Sequence, residues 1–307
     1  MPRSHSPHER SALVAGIAAF AMWGLVPVYW KLLQSVPALE ILAHRFVWTW
    51  VFIAVLLSWH GRWPELLGTI RSPRMRAFCI AGGLAIATNW FFFIWAVNSG
   101  HVLETSLGYF MTPLVNMLFG AVFLRERLNR VQLASVLLAT GAVVYLTIDL
   151  GRPPWVALVL CSSFGLYGLF RKVSGAGPLA GLFLETTLIL PIALGYLAFL
   201  VAKGGGHFRF TTPSLSGLLI TTGIVTGVPL LWFAHAARHL RLTTLGFLQY
   251  LAPSGTFFLG VFVYDETFRR AQIVTFGLIW VALAFYSADA GARWRSGRSA
   301  NLQPVEM

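Results

Sequence analysis

Charged residues are scarce in this chain of 307 residues, and acidic residues are the scarcest. Asp, Glu, Lys and Arg together make up 11% of the sequence, whereas a soluble domain carries about 25%. Only 11 residues are acidic, and 57% of the chain is hydrophobic. Such a chain has too few charged groups to cover a soluble domain, so a soluble globular protein is excluded.

Cysteines and the short motifs of enzymes are also lacking. Cys79 and Cys161 are the only cysteines and both lie in apolar stretches, so no disulfide framework or zinc spacing is present. No nucleotide-binding loop or nucleophile motif occurs, which argues against an ATP-driven pump. We therefore expect no cofactor and no metal. The net charge of +12 comes from short loops rather than from one amphipathic face, so we expect no nucleic-acid partner.

Apolar runs of about 20 residues, the length that a helix needs to cross a bilayer, fill the sequence instead. They predict an all-α integral membrane protein with ten transmembrane helices, at residues 12–33, 38–59, 75–98, 103–124, 130–148, 154–172, 179–201, 213–236, 242–264 and 268–288. The first run is longer than a signal-peptide core and shows no convincing cleavage site, so we expect it to be retained.

The basic residues predict the orientation in the membrane. With a cytoplasmic N-terminus, 16 of the 23 Lys and Arg residues fall on the cytoplasmic side and six on the other, while Arg45 lies inside a span. Cytoplasmic loops carry the excess of positive charge in membrane proteins. We therefore expect both termini, residues 1–11 and 289–307, in the cytoplasm, and the protein in the inner membrane.

The two halves of the sequence repeat one another. Four residues recur at a constant offset of 140, namely Pro113, Gly120, Glu126 and Gln132, which return as Pro253, Gly260, Glu266 and Gln272. Gly24, Lys31 and Pro37 match Gly165, Lys172 and Pro178 at an offset of 141, and Leu107-Gly108 matches Leu245-Gly246 at 138. Five is an odd number of helices, so the second repeat, 154–288, enters the membrane from the opposite face to the first, 12–148. Secondary transporters are often built this way, with the substrate near the midplane.

The start of the second helix carries three ionisable residues. Glu40 and His44 share a helix face, and Arg45 lies about 100° further round. Arginine near the middle of a membrane helix costs about 2.5–3.5 kcal/mol, so we expect Arg45 to face the protein interior. Substrate binding or coupling is one role for these residues. Stabilisation of the first helical turn by Glu40, and interhelical pairing by His44 and Arg45, are the structural alternatives.

The second half carries one ionisable residue at a comparable place. Glu185 is equivalent to His44 at the offset of 141, and its partner is either Arg45 or a substrate amine, or else it makes a structural hydrogen bond between helices. Amides and phenols also need polar partners that lipid does not supply. Asn89, Tyr109, Gln249 and Tyr250 are therefore further candidates for the substrate site, in walls rich in aromatic residues.

Prolines inside the predicted spans are candidate gating points, because each removes a backbone hydrogen bond and favours a kink. The gating candidates are Pro27, Pro113 and Pro253. Near the loop ends, Glu126, Glu266, Asn129 and Gln132 instead fit helix capping.

Two segments resemble a known family. Residues 23–31, Trp-Gly-Leu-Val-Pro-Val-Tyr-Trp-Lys, followed by Glu40 to Arg45, are similar to the start of the RarD branch of the EamA-type drug/metabolite transporter superfamily. The stretch from Gly246 through Gln249-Tyr250-Leu-Ala-Pro253 to Glu266 is also similar to that branch. The resemblance implies ten helices in two EamA repeats and export or exchange of small metabolites by alternating access. Members are often labelled as chloramphenicol permeases. The second half departs from the pattern, with Glu185 alone.

Three functional hypotheses follow. The first is a secondary transporter of small organic metabolites or drugs that exports its substrate, with Glu40, His44 or Glu185 as candidates for proton coupling. The second is an integral membrane enzyme acting on a lipid or isoprenoid precursor, although the acids are scattered rather than clustered. The third is a structural membrane subunit, which would not need ionisable residues in its interior.

Overall fold

The described part of the chain is helical, as expected for segments that must satisfy their backbone hydrogen bonds within lipid. A computed structural model describes residues 7–125, 128–209, 211–239 and 248–295. The helices are α1 (Pro7–Leu32), α2 (Ala38–Trp59), α3 (Trp63–Arg71), α4 (Pro73–Asn98), α5 (Val102–Phe123), α6 (Arg130–Leu150), α7 (Trp155–Ser174), α8 (Pro178–Ala202), α9 (Pro213–His239), α10 (Leu251–Phe258) and α11 (Arg270–Arg295). A short π-helical segment, Leu259–Val263, continues α10.

Eight of these helices are long and apolar enough to cross a membrane: α1, α2, α4, α5, α6, α8, α9 and α11. They confirm the prediction of a multi-pass, all-α membrane protein. The sixth and ninth predicted spans contain shorter apolar helices, Trp155–Arg171 and Leu251–Val263. The first residues of the ninth predicted span lie outside the described residues.

Helix α3 was not predicted from the sequence, which placed a basic loop between the second and third spans. Its nine residues are too short to cross a bilayer. The ring of Trp63 contacts Phe183 of α8, with 5.5 Å between the ring centroids. Leu66 and Thr69 are buried on the same side, while Leu67 is exposed. This short amphipathic helix therefore packs beside the start of α8.

The long helices pack mainly against partners from the other half of the sequence. Helix α2 contacts α8 and α9, α1 contacts α9 and α10, and α7 contacts α4 and α5. Helix α6 packs against α11. The core consequently divides into one cluster centred on α2, α4 and α8, and a second formed by α5, α6 and α11.

Glycines at two matching places permit close helix approaches of this kind. A Cβ on Gly223 of α9 would overlap the backbone of Trp48 in α2. A Cβ on Gly83 of α4 would lie 3.2 Å from the backbone oxygen of Glu185 in α8. Each half therefore sets a glycine of its third predicted span against the second predicted span of the other half.

The prolines do not all lie where the sequence placed them. Pro27 and Pro113 are inside α1 and α5, as predicted. Pro253 is instead in the first turn of α10, because Gln249 and Tyr250 form a turn immediately before that helix. Proline fits a first turn because its missing N–H would have no partner within the helix there. The prediction that Pro253 lies inside a continuous helix was therefore wrong.

Capping chemistry holds two helix starts in place. Asn129 and Gln132 form a reciprocal capping box at α6, with a Gln132 N to Asn129 Oδ1 distance of 2.7 Å. The carboxylate of Glu266 accepts hydrogen bonds from the backbone N–H groups of Val102 and Leu103, at 2.6 and 2.8 Å, where α5 begins. The capping predictions for these residues are confirmed, and Glu126 lies outside the described residues.

Candidate functional site

Arg45 is the most deeply placed cation among the described residues. It lies seven residues into α2 and is 8% exposed, so it faces the protein interior as the sequence predicted. Its Nε donates a hydrogen bond to Oγ1 of Thr226 in α9, at 2.9 Å. A single hydroxyl supplied from the other half of the chain thus orients a buried guanidinium.

Two tryptophans flank this guanidinium. Its central carbon lies 3.8 Å from the ring centroid of Trp90 in α4 and 5.1 Å from that of Trp30 in α1. Phe46 packs against Trp90, with 5.2 Å between centroids. Cation–π contacts of this kind contribute about 2 kcal/mol when they are shielded from water. Aromatic faces therefore replace part of the hydration that Arg45 loses.

No carboxylate of the described residues forms an ion pair with Arg45. The ionisable groups that interact electrostatically with it are the phenols of Tyr109 and Tyr29. Tyr29 bonds instead to the Leu218 carbonyl and to Thr221, 3.0 Å away. The positive charge of Arg45 is therefore not balanced by a neighbouring acid in the described part of the protein.

Asn89 and Tyr109, two predicted site residues, meet beside Arg45. The Tyr109 hydroxyl donates to Oδ1 of Asn89 at 2.9 Å, and Nδ2 of Asn89 donates to the Leu160 carbonyl at 3.0 Å and to Ser163 Oγ at 3.1 Å. The amide thereby links α4, α5 and α7. All four hydrogen-bonding groups come from helix interiors, so this network gives the core around Arg45 a polar wall.

Glu185 has a different environment from Arg45. Its side chain is 1% exposed, and its Oε1 lies 3.3 Å from Nη1 of Arg171, whose side chain is 21% exposed. Tyr167 donates to Oε2, also at 3.3 Å. The hypothesis that Glu185 pairs with Arg45 is wrong. Arg171, counted from the sequence among the cytoplasmic positive charges at the end of the sixth predicted span, lies within α7, which continues to Ser174.

Glu40 and His44 are one turn apart but have separate environments. Oε1 and Oε2 of Glu40 face the backbone N and Nδ1 of His207, at 2.6 and 2.8 Å, so Glu40 is tied to the loop between α8 and α9. His44 is buried, and its Nε2 has no hydrogen-bond partner among the described residues. Its ring lies 5.2 Å from that of Phe208 in the same loop. Only His44 and Arg45 of this trio leave hydrogen-bonding capacity unused.

Gln249 and Tyr250 do not join the Arg45 group. Tyr250 packs in the cluster of α5, α6 and α11, with its ring 6.4 Å from that of Phe110. The functional candidates that sequence reasoning missed are Thr226, Trp30 and Arg171. Nothing in the sequence distinguishes Thr226 from other hydroxyl residues in apolar spans. Trp30 lies in the segment 23–31 that carries the family resemblance, and Arg171 lies at the end of the sixth predicted span.

The comparisons with known proteins agree with this architecture. The description "EamA-like transporter family" matches residues 10–148. The chain is 43% identical to Protein RarD of Escherichia coli over 281 residues, covering 92% of this chain and 95% of the relative. It is 42% identical to the uncharacterized transporter YojE of Bacillus subtilis, covering 95% and 97%. A solved crystal structure shares the fold, with a TM-score of 0.57, 20% identity and coverage of 90% and 97%.

The membrane-length helices are those of a multi-pass membrane protein, and the family description places it among the transporters. The extent of the matches then identifies the group within that class. The chain belongs to the RarD branch of the EamA-type drug/metabolite transporter superfamily. The family description and the name of the Bacillus subtilis relative are those of transporters, which fits a protein that is not an enzyme.

Proposed function

We propose that this protein is a secondary transporter of small organic metabolites or drugs that works by alternating access between two inverted five-helix repeats. In this proposal ten helices cross the cytoplasmic membrane, both termini are cytoplasmic and the substrate is exported. The observation that carries the proposal is the presence of one buried ionisable residue, Arg45 or Glu185, at equivalent places in the two halves.

The helix starts support the two-repeat organisation. Ala38, Pro73 and Arg130 begin α2, α4 and α6, and residues 140 positions later, Pro178, Pro213 and Arg270, begin α8, α9 and α11. Arg125 and Asp265 are the two non-glycine residues with positive φ in the described part of the chain, at 54° and 47°, and they too are 140 apart. Local geometry therefore recurs with the same period as the sequence matches.

Helix packing supports the same organisation. Each predicted span has a counterpart five spans away in the other half. The counterparts of α4 and α7 are α9 and α1, and both pairs are in contact. In the same way, α5 contacts α7 and their counterparts α10 and α1 are in contact. In the contacting pairs α2–α8 and α6–α11, each helix is the counterpart of the other. This is the pattern expected of a pseudo-twofold axis in the membrane plane. The family match to residues 10–148 corresponds closely to the first repeat.

The two ionisable residues occupy equivalent positions when counted from the helix starts. Arg45 follows Ala38 by seven residues, and Glu185 follows Pro178 by seven, so the structural offset pairs Glu185 with Arg45 rather than with His44. At 1.5 Å per residue each lies about 10 Å along its helix. Inverted repeats place these two depths in opposite leaflets, so the two charges flank the midplane where the substrate of such transporters binds.

Alternating access requires helices that bend or rock. Pro27 and Pro113 interrupt the hydrogen bonding of α1 and α5, and the ninth span is broken at the turn of Gln249 and Tyr250 before Pro253. Helix α10 contacts both α1 and α5. In the proposal these three helices form the gate, with Pro27, Pro113 and Pro253 as its bending points.

Proton coupling is a separate clause of the proposal, with Glu185 as the candidate residue. Glu40 is held by two hydrogen bonds from His207, so it is assigned a structural role. His44 lies beside Phe208 and forms no ion pair with a carboxylate of the described residues. Glu185, between Arg171 and Tyr167, can change charge while keeping both partners.

Flux through the purified protein tests the proposal. Liposomes containing the protein are loaded with amino acids, nucleosides, aromatic metabolites or chloramphenicol, and counterflow of the labelled compound is followed without ATP. We expect saturable counterflow of at least one compound, absent from liposomes without protein. Failure of every compound to move would count against a transporter of this substrate class.

Accessibility of one position from both membrane faces tests the mechanism. In a background with Cys79→Ala and Cys161→Ala, the variant Thr226→Cys places a thiol beside Arg45. A membrane-impermeant maleimide should label it from either face, and a transported compound should shift the balance between the faces. Labelling from a single face under all conditions would contradict alternating access.

A further inference from the structure

Arg45 has hydrogen-bonding and charge capacity that the described protein does not use. We infer that Arg45 is the anion-binding subsite of this transporter, and that its cargo carries a carboxylate attached to an apolar or aromatic body. The inference rests on the proposed function, because it assigns a cargo class to the same site.

Arg45 differs from the other buried charges in having no charged partner in the described part of the chain. Glu40, Arg45 and Glu185 are the three charged residues among the described ones that are at least nine-tenths buried. Glu185 is paired with Arg171, and Glu40 with His207. Arg45 has neither an acid nor a helix terminus to balance it within the described chain. A buried charge in a membrane protein is usually paired or functional, so the missing counter-charge points to a ligand.

Most hydrogen-bond donors of the Arg45 guanidinium have no partner in the described protein. A guanidinium offers five N–H groups, and only Nε has a partner here, the hydroxyl of Thr226. The two Nη nitrogens make no hydrogen bond to a described residue, yet neither is among the unpartnered polar atoms that are sealed from the surface. Four donors therefore remain open in the planar fork that binds a carboxylate with two parallel hydrogen bonds.

Aromatic side chains surround the guanidinium of Arg45. Trp90 covers a face of the guanidinium, and Trp30 lies a little further away. Stacking on a face leaves the edge of the guanidinium, where the N–H groups lie, unobstructed by that ring. Phe46 and Phe93 belong to the same buried cluster as the two tryptophans, so an apolar group adjoining the carboxylate would contact aromatic carbon. An inorganic anion such as chloride could supply the charge but would not use these apolar walls.

Matched acids and amides test the inference without requiring the natural cargo. The probes are benzoate and benzamide, indole-3-acetate and indole-3-acetamide, with chloramphenicol as an uncharged comparator. Thermal unfolding of the purified full chain is followed against the concentration of each probe in sulfate buffer, and chloride is titrated separately. The variants are Arg45→Met, Arg45→Lys and, as a control on the exposed surface, Arg62→Met.

The expected result is that at least one acid stabilises the wild-type protein with an affinity at least about tenfold above that of its amide, as a charge-assisted pair predicts. Arg45→Met should abolish this preference. Arg45→Lys should retain part of it, and Arg62→Met should leave it unchanged.

Three results would overturn the inference: acids and amides that stabilise equally, or not at all; an acid preference that survives in Arg45→Met; or stabilisation by chloride with no additional effect of organic acids. Counterflow separates these outcomes from the proposed function. Transport of amides or chloramphenicol without acid preference would retain the transporter and discard the anion site. Acid binding that depends on Arg45, without any flux, would retain the anion site and discard the transporter.

Discussion

Arg45 and Glu185 lie at equivalent distances from the starts of α2 and α8, yet their surroundings differ. Glu185 is balanced by Arg171 and Tyr167 from the neighbouring helix of its own half. Arg45 is held by two tryptophans and by Thr226 from the opposite half. Two buried charges at the same distance along their helices can therefore have quite different partners. One charge is satisfied by the protein, and the other is left available to a ligand.

The largest expected effect concerns the glycines that let the halves approach. Gly223→Ala should cost more than about 3 kcal/mol, because the new methyl group would overlap backbone that has no side-chain rotation to relieve it. Gly83→Ala, with 3.2 Å of space to a backbone oxygen, should cost about 1 kcal/mol. Melting temperature and the yield of monodisperse protein provide the measurement.

Gly141→Ala is the control for those two variants, because nothing lies within 4 Å of the added methyl group. Alanine is the better helix former, so this change should be neutral or stabilise by up to about 1 kcal/mol. Equal losses at Gly223 and Gly141 would show that contact between the halves is not the source of the cost, because a methyl group at Gly141 meets no neighbour.

The next effect separates the paired charge from the unpaired one. Arg171→Met should destabilise the protein by about 3 kcal/mol, because it leaves the buried carboxylate of Glu185 without its cation. Adding Glu185→Gln should recover most of that loss, and the double-mutant cycle measures the coupling. Additive losses would mean that the two side chains do not form a functional pair.

A smaller effect tests the hydrogen bond that orients Arg45. Thr226→Val removes the hydroxyl but keeps the side-chain volume, and should cost about 1.5 kcal/mol because the partner is charged. Thr222→Val on the same helix is matched, since its hydroxyl bonds only to the carbonyl of Leu219. Thermal unfolding should rank Thr226→Val as the more damaging change, and the opposite ranking would contradict the assigned contact.

The smallest effect concerns the loop between α8 and α9, which Glu40 of α2 holds in place. Glu40→Gln should cost about 1 kcal/mol and increase hydrogen exchange at the backbone amide of His207, which the carboxylate now holds. Glu65→Gln serves as the comparison, because its ion pair with Arg62 is exposed and contributes little. Unchanged exchange at His207 in Glu40→Gln would remove this residue from the account of how the loop is anchored.

The sequence predicted those features that depend on local composition. Apolar runs predicted the membrane helices, and the spacing of Asn129 and Gln132 predicted their capping box. The position of Arg45 within a run predicted that it faces the interior, because lipid would not tolerate it. Hydropathy and capping are written into short stretches of chain, so one sequence was enough for them.

Contacts between distant segments could not be predicted in the same way. Arg171 looked like a topology signal at the end of a span, and only the folded structure shows that its side chain reaches Glu185. His207 lies 167 residues from Glu40, in a glycine-rich loop with no pattern of its own. The turn before Pro253 interrupts an apolar run that hydropathy alone treats as one helix.

Thermal unfolding of Arg45→Met beside Arg171→Met distinguishes an arginine that is retained for cargo from one that is retained for stability. Methionine keeps an apolar stem between the tryptophans while it removes a charge that no described acid balances. We expect Arg45→Met to melt within about 2 °C of the wild type, or above it, and Arg171→Met to melt well below. An Arg45→Met protein that melts as low as Arg171→Met would show that Arg45 holds the fold together, and would contradict the account.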